Sequence, residues 1–134
     1  MMNNILVGLL LIIITSMVHT SATFLTLKLL QAKHRTTTIV RRLIHIDAII
    51  LTVLTATIIE AILWAFAYIS IGAFDEMATS LYFSLVTYTT LGYGDLVLHD
   101  SYRLLSAFQA ANGVLIFGWS TALVVAGIQK VYTK

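Results

Sequence analysis

The chain has 134 residues, of which 59% are hydrophobic and only 10% are charged, and its formal net charge is +2. A soluble domain of this length has too little interior to bury so much apolar surface, so much of the chain is expected to lie in lipid. The sequence contains no cysteine and no proline. Disulfides and thiolate metal sites are therefore excluded, and glycine is left as the only strong helix breaker.

The first long apolar segment occupies residues 1–31. About 20 apolar residues cross a bilayer as a helix, so this segment is predicted to be a peripheral N-terminal transmembrane helix. A cleaved signal peptide is the alternative, but it requires a basic leader, and residues 1–4 contain no basic side chain. The segment also lacks an arginine at every third position, so it is not predicted to be a voltage sensor.

Basic residues cluster in residues 32–42 and just before them. Five of the eight Lys and Arg residues of the chain lie here: Lys28, Lys33, Arg35, Arg41 and Arg42. Because Lys and Arg at helix ends mark the cytoplasmic side, residues 32–42 are predicted to be a basic cytoplasmic connector. The amino terminus is then outside and the carboxyl terminus cytoplasmic. Such a cluster is expected to contact anionic lipid headgroups, whereas the scattered His34 and His45 do not indicate a metal site.

Residues 43–134 are predicted to form a second module with two long helices, at 43–71 and 102–131. Between them, residues 76–89 form a helical segment that is too short to span a membrane at 1.5 Å per residue. Asp75 is expected to be its N-cap. Because both flanking helices span, this segment is predicted to be a re-entrant half-helix rather than a surface helix.

The half-helix leads into the run Thr89-Thr90-Leu91-Gly92-Tyr93-Gly94-Asp95. Glycine reaches positive φ without strain, so Gly92 and Gly94 allow the backbone to turn successive carbonyls towards one side. A row of carbonyl oxygens at membrane depth replaces the hydration shell of a cation. The run resembles the potassium-channel signature, with Leu91 in the place of a valine. The chain as a whole resembles small prokaryotic potassium channels of the pore-loop family, with one extra N-terminal helix.

This resemblance implies a selectivity filter at residues 90–95. Its K⁺ ions would be coordinated by the backbone carbonyls of Thr90, Leu91, Gly92 and Tyr93, with the Thr90 hydroxyl closing the inner site. One chain supplies one loop and a filter needs four, so a symmetric homotetramer is expected, with bound K⁺ and no other cofactor. The residues expected to support the filter are Thr89, Gly94, Asp95, Tyr82 and Val86.

Two of these supporting residues depart from the family pattern. Tyr82 lies where many relatives carry a tryptophan, and it is expected to hydrogen-bond Asp95 behind the filter. Val86 lies where some bacterial channels place a glutamate that contacts the same aspartate, so inactivation that depends on a carboxyl pair is expected to be weak.

The last long helix resembles the inner helix of the family. Gly113 is expected to be its hinge, with close helix packing as the alternative, and Gly118 is expected to serve packing. The resemblance then implies that the cavity and gate are lined by Val114, Phe117, Thr121 and Val125. For Asn112, which forms a polar stripe with Ser106 and Gln109, cavity lining and interhelical hydrogen bonding remain open.

Ionisable side chains inside a membrane are functional candidates because burying a charge is costly. Glu60 is either a proton-sensitive or filter-supporting carboxyl, or a neutral acid that hydrogen-bonds a neighbouring helix. His19 is a possible partner of Glu60, although its estimated depth differs by about six residues of helical rise. Asp47 and Lys28 lie at similar depth and are expected to form an ion pair.

The sequence therefore predicts an all-α membrane protein: three transmembrane helices with a re-entrant pore helix and a filter loop, assembled as a four-fold homotetramer. Its predicted function is passive, potassium-selective conduction in the plasma or inner membrane. A weakly selective cation channel and a non-conducting membrane subunit with a vestigial filter are the alternatives. Its partners are expected to be membrane lipid and K⁺, with no nucleic acid. No nucleophile–base set or phosphate loop suggests an enzyme.

Overall fold

The structure is a computed structural model, and it describes residues 2–31 and 38–132. In these ranges the chain forms four α-helices: α1 (Met2–Gln31), α2 (Ile39–Ser70), α3 (Met77–Tyr88) and α4 (Arg103–Tyr132). Three of them, α1, α2 and α4, are long and apolar enough to cross a membrane. The predicted all-α membrane fold, with one short helix between the second and third spans, is confirmed.

The boundary between the connector and α2 differs from the prediction. α2 begins at Ile39 rather than at residue 43, so Arg41 and Arg42 lie in its first turn and not in a connector. Arginine is a good helix former and no glycine or proline interrupts this stretch, so the helix continues through both basic residues. Lys33, His34 and Arg35 lie outside the described residues.

α1 and α4 run in the same direction. The amide of Asn4, near the start of α1, donates a hydrogen bond to the carbonyl of Ser101, just before α4. Further along both helices, the Asn112 amide donates to the Thr15 hydroxyl at 2.7 Å. Both bonds join residues 97 positions apart, so the two helices advance together across the membrane.

α2 runs against both of these helices. Near its end, Tyr68 donates a hydrogen bond to Gln109 in the first half of α4. Near its beginning, Ile49 lies against Gly127 in the last part of α4. The relative directions of the three spans therefore agree with an odd number of crossings, which would place the two termini on opposite sides.

α3 enters the bundle from the end of α2 and stops partway along it. The hydroxyls of Ser80 and Ser84 donate to the carbonyls of Ala65 and Ala61, at 2.8 and 2.6 Å. These pairs show that α3 descends antiparallel to α2. Its last residue, Tyr88, lies beside the middle of α4, so α3 is a re-entrant half-helix.

The start of α3 does not follow the prediction. The helix begins at Met77, and the N-cap position is occupied by Glu76, whose backbone is extended, rather than by Asp75. The Glu76 carboxylate accepts a hydrogen bond from the Thr79 hydroxyl at 3.1 Å. Its negative charge therefore lies at the positive end of the helix dipole.

An aromatic core fills the half of the bundle that contains α3. The Tyr68 ring packs edge-on against Phe74 and Phe83, with ring centroids 6.1 and 5.3 Å apart. Around these rings the buried cluster comprises Leu11, Trp64, Tyr68, Phe83, Tyr88, Leu98, Leu105 and Ile116. The cluster draws residues from all four helices and from the loop before α4, so it fixes α3 relative to the three spans.

The ion pair expected at the inner ends of α1 and α2 is not formed. Among the described residues, Lys28 and Asp47 are not joined, and the Lys28 ammonium instead lies 5.1 Å from the centre of the Phe24 ring. A cation over an aromatic face is attracted by the ring quadrupole. A buried contact between a histidine and a glutamate lies deeper, between α1 and α2, as described below.

Candidate functional site

The loop after α3 alternates in backbone conformation at every second residue. Thr90, Gly92 and Gly94 have φ values of 59°, 53° and 78°, whereas Leu91 and Tyr93 have negative φ. Alternation between right- and left-handed helical conformations gathers backbone N–H groups on one side. The alternation itself is what the two glycines predicted, while the direction of the carbonyl groups stays a prediction.

The N–H side of this loop faces the end of α3. The amides of Leu91 and Gly92 both donate to the carbonyl of Val86, at 3.0 and 3.2 Å. The amide of Thr90 donates to the Thr87 carbonyl at 3.0 Å, and the Thr89 hydroxyl donates to the Leu85 carbonyl at 2.7 Å. Val86 thus supports the loop through its backbone carbonyl.

Thr90 is the residue whose backbone the sequence did not predict. Its φ of 59° is left-handed, a conformation that a β-branched residue adopts only under constraint. Such strain costs about 1–3 kcal/mol and persists where the surroundings impose it. No sequence signal indicates this feature, since threonine is a poor candidate for positive φ.

The far end of the loop is held by a hydrogen bond between side chains. The Tyr82 hydroxyl donates to Asp95 Oδ2 at 2.7 Å, so the expected hydrogen bond is formed, while its role in supporting a filter stays a prediction. This hydrogen bond raises the pKa of Tyr82 above its usual value, because ionisation would place two negative charges together. The hydroxyl therefore remains a donor at neutral pH.

The segment that returns from the loop to α4 is tied down by Arg103. Its guanidinium donates to the Leu98 carbonyl through Nε at 3.2 Å and contacts Asp100 Oδ1 through Nη1 at 2.9 Å. The Tyr102 hydroxyl donates to the Ile71 carbonyl at 3.0 Å. The start of α4 is thereby fixed to the end of α2, and Arg103 has a structural role outside the basic cluster.

One face of α4 is left uncovered within the chain. Val114, Phe117, Thr121 and Val125 are all exposed, and their role in lining a cavity between chains stays a prediction. Asn112 does not belong to this set, because it is 2% exposed and bonds Thr15 of α1. Interhelical hydrogen bonding is therefore its role here, and the cavity-lining interpretation of Asn112 is wrong for this structure.

The two glycines of α4 have environments opposite to those expected. A Cβ on Gly113 would overlap the carbonyl oxygen of Tyr88, so this glycine permits close contact between α4 and the end of α3. A Cβ on Gly118 would meet nothing within 4 Å in the chain. Packing is thus the observed role of Gly113 and not of Gly118, while a hinge at Gly113 stays a prediction.

Behind the loop lies a buried polar cluster that joins all four helices. Glu60 of α2 and His19 of α1 are both 0% exposed, and Glu60 Oε1 lies 3.1 Å from His19 Nδ1. The other carboxylate oxygen accepts a hydrogen bond from the Tyr88 hydroxyl at 2.9 Å. Ser120 of α4 lies 3.4 Å from His19 Nε2.

The depth estimate that separated His19 from Glu60 is wrong. His19 Nδ1 and Glu60 Oε1 lie 3.1 Å apart, so the two side chains lie at the same level in the bundle.

The chain thus combines three membrane-length spans with a half-helix that stops inside the bundle and a return loop of alternating φ, an arrangement typical of pore-loop membrane proteins. A family model described as "Ion channel" matches residues 12–130, which is more than half of the chain. The protein therefore belongs to this family of pore-domain ion channels, which is not a family of enzymes. Neither a curated protein nor a solved structure matches the chain.

Proposed function

We propose that this protein is a potassium-selective channel that conducts dehydrated K⁺ passively through a ring of backbone carbonyls. The carbonyls of Thr90, Leu91, Gly92 and Tyr93 are the proposed ligands, and the Thr90 hydroxyl closes the inner site. Among the described residues, no cluster of three His, Cys, Asp or Glu side chains offers a rival metal site.

The observation that carries this proposal is the alternating φ of the loop. With the amides of Leu91 and Gly92 bonded to Val86, the carbonyls of the same peptides are directed away from α3. Oxygens presented in this way replace the water around an ion without introducing a fixed negative charge. The negative end of the α3 dipole, at Tyr88, favours a cation at the inner end of the loop.

The proposed working unit is a homotetramer with the loops on its four-fold axis. One chain contributes one loop, and a filter requires four. In the single chain Leu91 is 54% exposed and Tyr93 is 67% exposed. Neighbouring chains are the proposed covering for these side chains, and the Tyr93 ring is proposed to pack there and hold the ring of carbonyls at a fixed diameter.

The proposed location is the plasma or inner membrane, with the amino terminus outside and the carboxyl terminus in the cytoplasm. Arg41 and Arg42 at the start of α2 and Lys130 in the last turn of α4 support this orientation. Anionic lipid headgroups are the proposed contacts of these basic residues. α1 has no arginine, so the channel is proposed not to sense voltage through an arginine-bearing helix.

A weakly selective cation channel is the second candidate. Leu91, which stands where relatives carry a stiff β-branched valine, is the residue that favours it. A less rigid side chain behind a carbonyl allows the ring to adapt to a smaller ion. A non-conducting subunit with a vestigial filter is a third reading, and the ordered alternation of the loop is the argument against it.

The test is a bilayer recording of the purified protein in mixed potassium and sodium. A potassium-selective channel reverses close to the K⁺ equilibrium potential and is blocked by Ba²⁺. A reversal near zero under biionic conditions identifies the weakly selective alternative, and an absence of current contradicts conduction.

Gly92→Ala is the matched loss-of-function variant for this recording. Gly92 has positive φ and open space around it, so an added methyl group acts through backbone strain of about 1–2 kcal/mol rather than through a clash. We expect its current to be abolished. Gly92→Ala with the parent's current and selectivity would contradict the carbonyl filter.

A further inference from the structure

The polar cluster behind the loop is a continuous chain of hydrogen bonds that leads from α1 to the end of α3, where the proposed filter begins. His19 contacts Glu60, and Glu60 accepts from Tyr88, the last residue of α3. The side chains of all three residues are fully buried. Ionisable groups buried in this way are costly unless they are paired, so the cluster requires an explanation beyond packing.

Tyr88 is held at both its side chain and its backbone. Its hydroxyl is bonded to Glu60, and its carbonyl oxygen lies against Gly113 of α4. The strained Thr90 follows two residues later, and Val86, which accepts the filter amides, precedes it by two. A displacement of Tyr88 therefore moves the acceptor for the filter amides as well as the point from which the filter begins.

We propose that α1 helps to hold the filter in position. His19 and Glu60 are positioning residues that act through Tyr88, and the number of protons that these two side chains carry together determines how well the channel conducts. This inference rests on the proposed channel function. It assigns α1 a role other than that of a peripheral helix, since α1 supplies the side chain that pairs the buried carboxylate.

The hydrogen bonds depend on how many protons the pair carries. With one proton on the pair, Nδ1–H of His19 donates to one carboxylate oxygen while the other oxygen accepts from Tyr88. A second proton leaves His19 cationic and Glu60 neutral, which weakens both bonds and places a net positive charge in the bundle behind the ion path. Acidification is therefore expected to reduce conduction.

The surroundings contain few other titratable groups that face this pair. α3 contributes the Tyr88 hydroxyl, and α4 contributes Ser120 and the ring of Trp119, neither of which titrates. The other charged side chains of the spans are Lys28 on α1, Arg41, Arg42 and Asp47 on α2, and Arg103 and Lys130 on α4; among the described residues the close acid–base contacts are His19–Glu60 and Arg103–Asp100. Tyr68 is bonded to Gln109, so the pH response is assigned to the His19–Glu60 pair.

The experiment combines two readouts on the purified channel in lipid. Hydrogen–deuterium exchange reports the opening of the Leu91 and Gly92 amides, and conduction is recorded as a function of pH. Tyr88→Phe removes the hydroxyl that connects the pair to α3. We expect the two amides to exchange faster, on the order of tenfold, as for loss of a hydrogen bond to a charged group, and we expect the pH response to be reduced.

Conservative variants separate the effect of protonating the pair from the effect of changing its geometry. Glu60→Gln retains an acceptor for Tyr88 but cannot gain a proton in this range, so we expect protected amides and a flattened pH response. His19→Gln is expected to flatten the response in the same way. Tyr102→Phe is the matched control, because it removes a bonded tyrosine hydroxyl outside the cluster, and both readouts are expected to match the parent.

Two results would overturn this proposal. One is equal amide exchange in Tyr88→Phe, Tyr102→Phe and the parent. The other is a parent-like pH response in both Glu60→Gln and His19→Gln. Amide exchange can be measured without any current. If the parent protein fails to conduct K⁺, the proposed channel function is contradicted, but the exchange rates of the Leu91 and Gly92 amides still decide whether the pair positions the loop.

Discussion

Two kinds of residue hold left-handed backbone in the filter loop, and they differ in what they supply. Gly92 and Gly94 adopt positive φ without strain. Thr90 adopts it as a β-branched residue and therefore stores strain. Threonine contributes a hydroxyl that glycine lacks, and this hydroxyl is the proposed ligand at the inner end of the proposed filter. Strain and ion coordination are therefore expected to be linked at this position.

Two substitutions at Thr90 separate strain from the hydroxyl. Thr90→Ser retains the hydroxyl and removes the β-branch, so we expect it to conduct and to unfold at higher denaturant concentration, with a gain of up to about 1 kcal/mol. Thr90→Val retains the β-branch and loses the hydroxyl, so we expect the parent's stability with reduced K⁺ flux. Flux into liposomes and equilibrium unfolding in detergent measure both. Parent-like flux in Thr90→Val would exclude the hydroxyl as a ligand.

A second prediction at this scale concerns the hydrogen bond between Tyr82 and Asp95. The pKa of Tyr82 is raised, so the contribution of the bond is fully present below the ordinary tyrosine pKa of about 10. It is lost only as pH rises through the raised pKa. We therefore expect no loss of this contact between neutral pH and about pH 9. Tyr82→Phe is expected to speed the decay of sustained current, whereas Tyr102→Phe is not; equal decay rates would remove Tyr82 from the filter support.

The elements were predictable where composition determines them. Apolar length predicts α1, α2 and α4, and the glycines and their neighbours predict the loop after α3. The side-by-side arrangement was not predictable, because the levels at which helices end depend on contacts such as that of Asn4 with Ser101. For the same reason, the depth of His19 relative to Glu60 and the burial of Asn112 became apparent only from the packed structure.

Gly113 and Gly118 provide a prediction about helix α4. Gly113→Ala places a methyl group against the backbone carbonyl of Tyr88, which cannot move without displacing the end of α3. We expect a lower melting temperature and reduced conduction. Gly118→Ala has open space in the chain and gains about 1 kcal/mol of helix propensity, so we expect stability at or above that of the parent. Thermal unfolding in detergent measures both, and a reversed order would show that neighbouring chains pack at Gly118.

For the whole molecule, the uncovered filter loop and α4 face make assembly the central question. If four chains complete one pore, inactive chains act on the whole assembly. Co-expression of equal amounts of parent and Gly92→Ala chains leaves about one sixteenth of random tetramers with four parent chains. We expect the current per chain to fall far below half. A current of one half, with a monomer or dimer mass in lipid, would contradict the tetramer.

The buried polar stripe on α1 also has a consequence for how the protein enters the membrane. Thr15 and His19 find their partners, Asn112 and Glu60, on helices that the ribosome makes later. The Thr15 hydroxyl can meanwhile donate to the Leu11 carbonyl of its own helix, but until those helices arrive hydrocarbon offers the His19 ring nothing to bond. The first span is therefore expected to remain at the translocon and to enter lipid together with the rest of the chain. Membrane insertion and the positioning of the proposed filter then depend on the same few side chains.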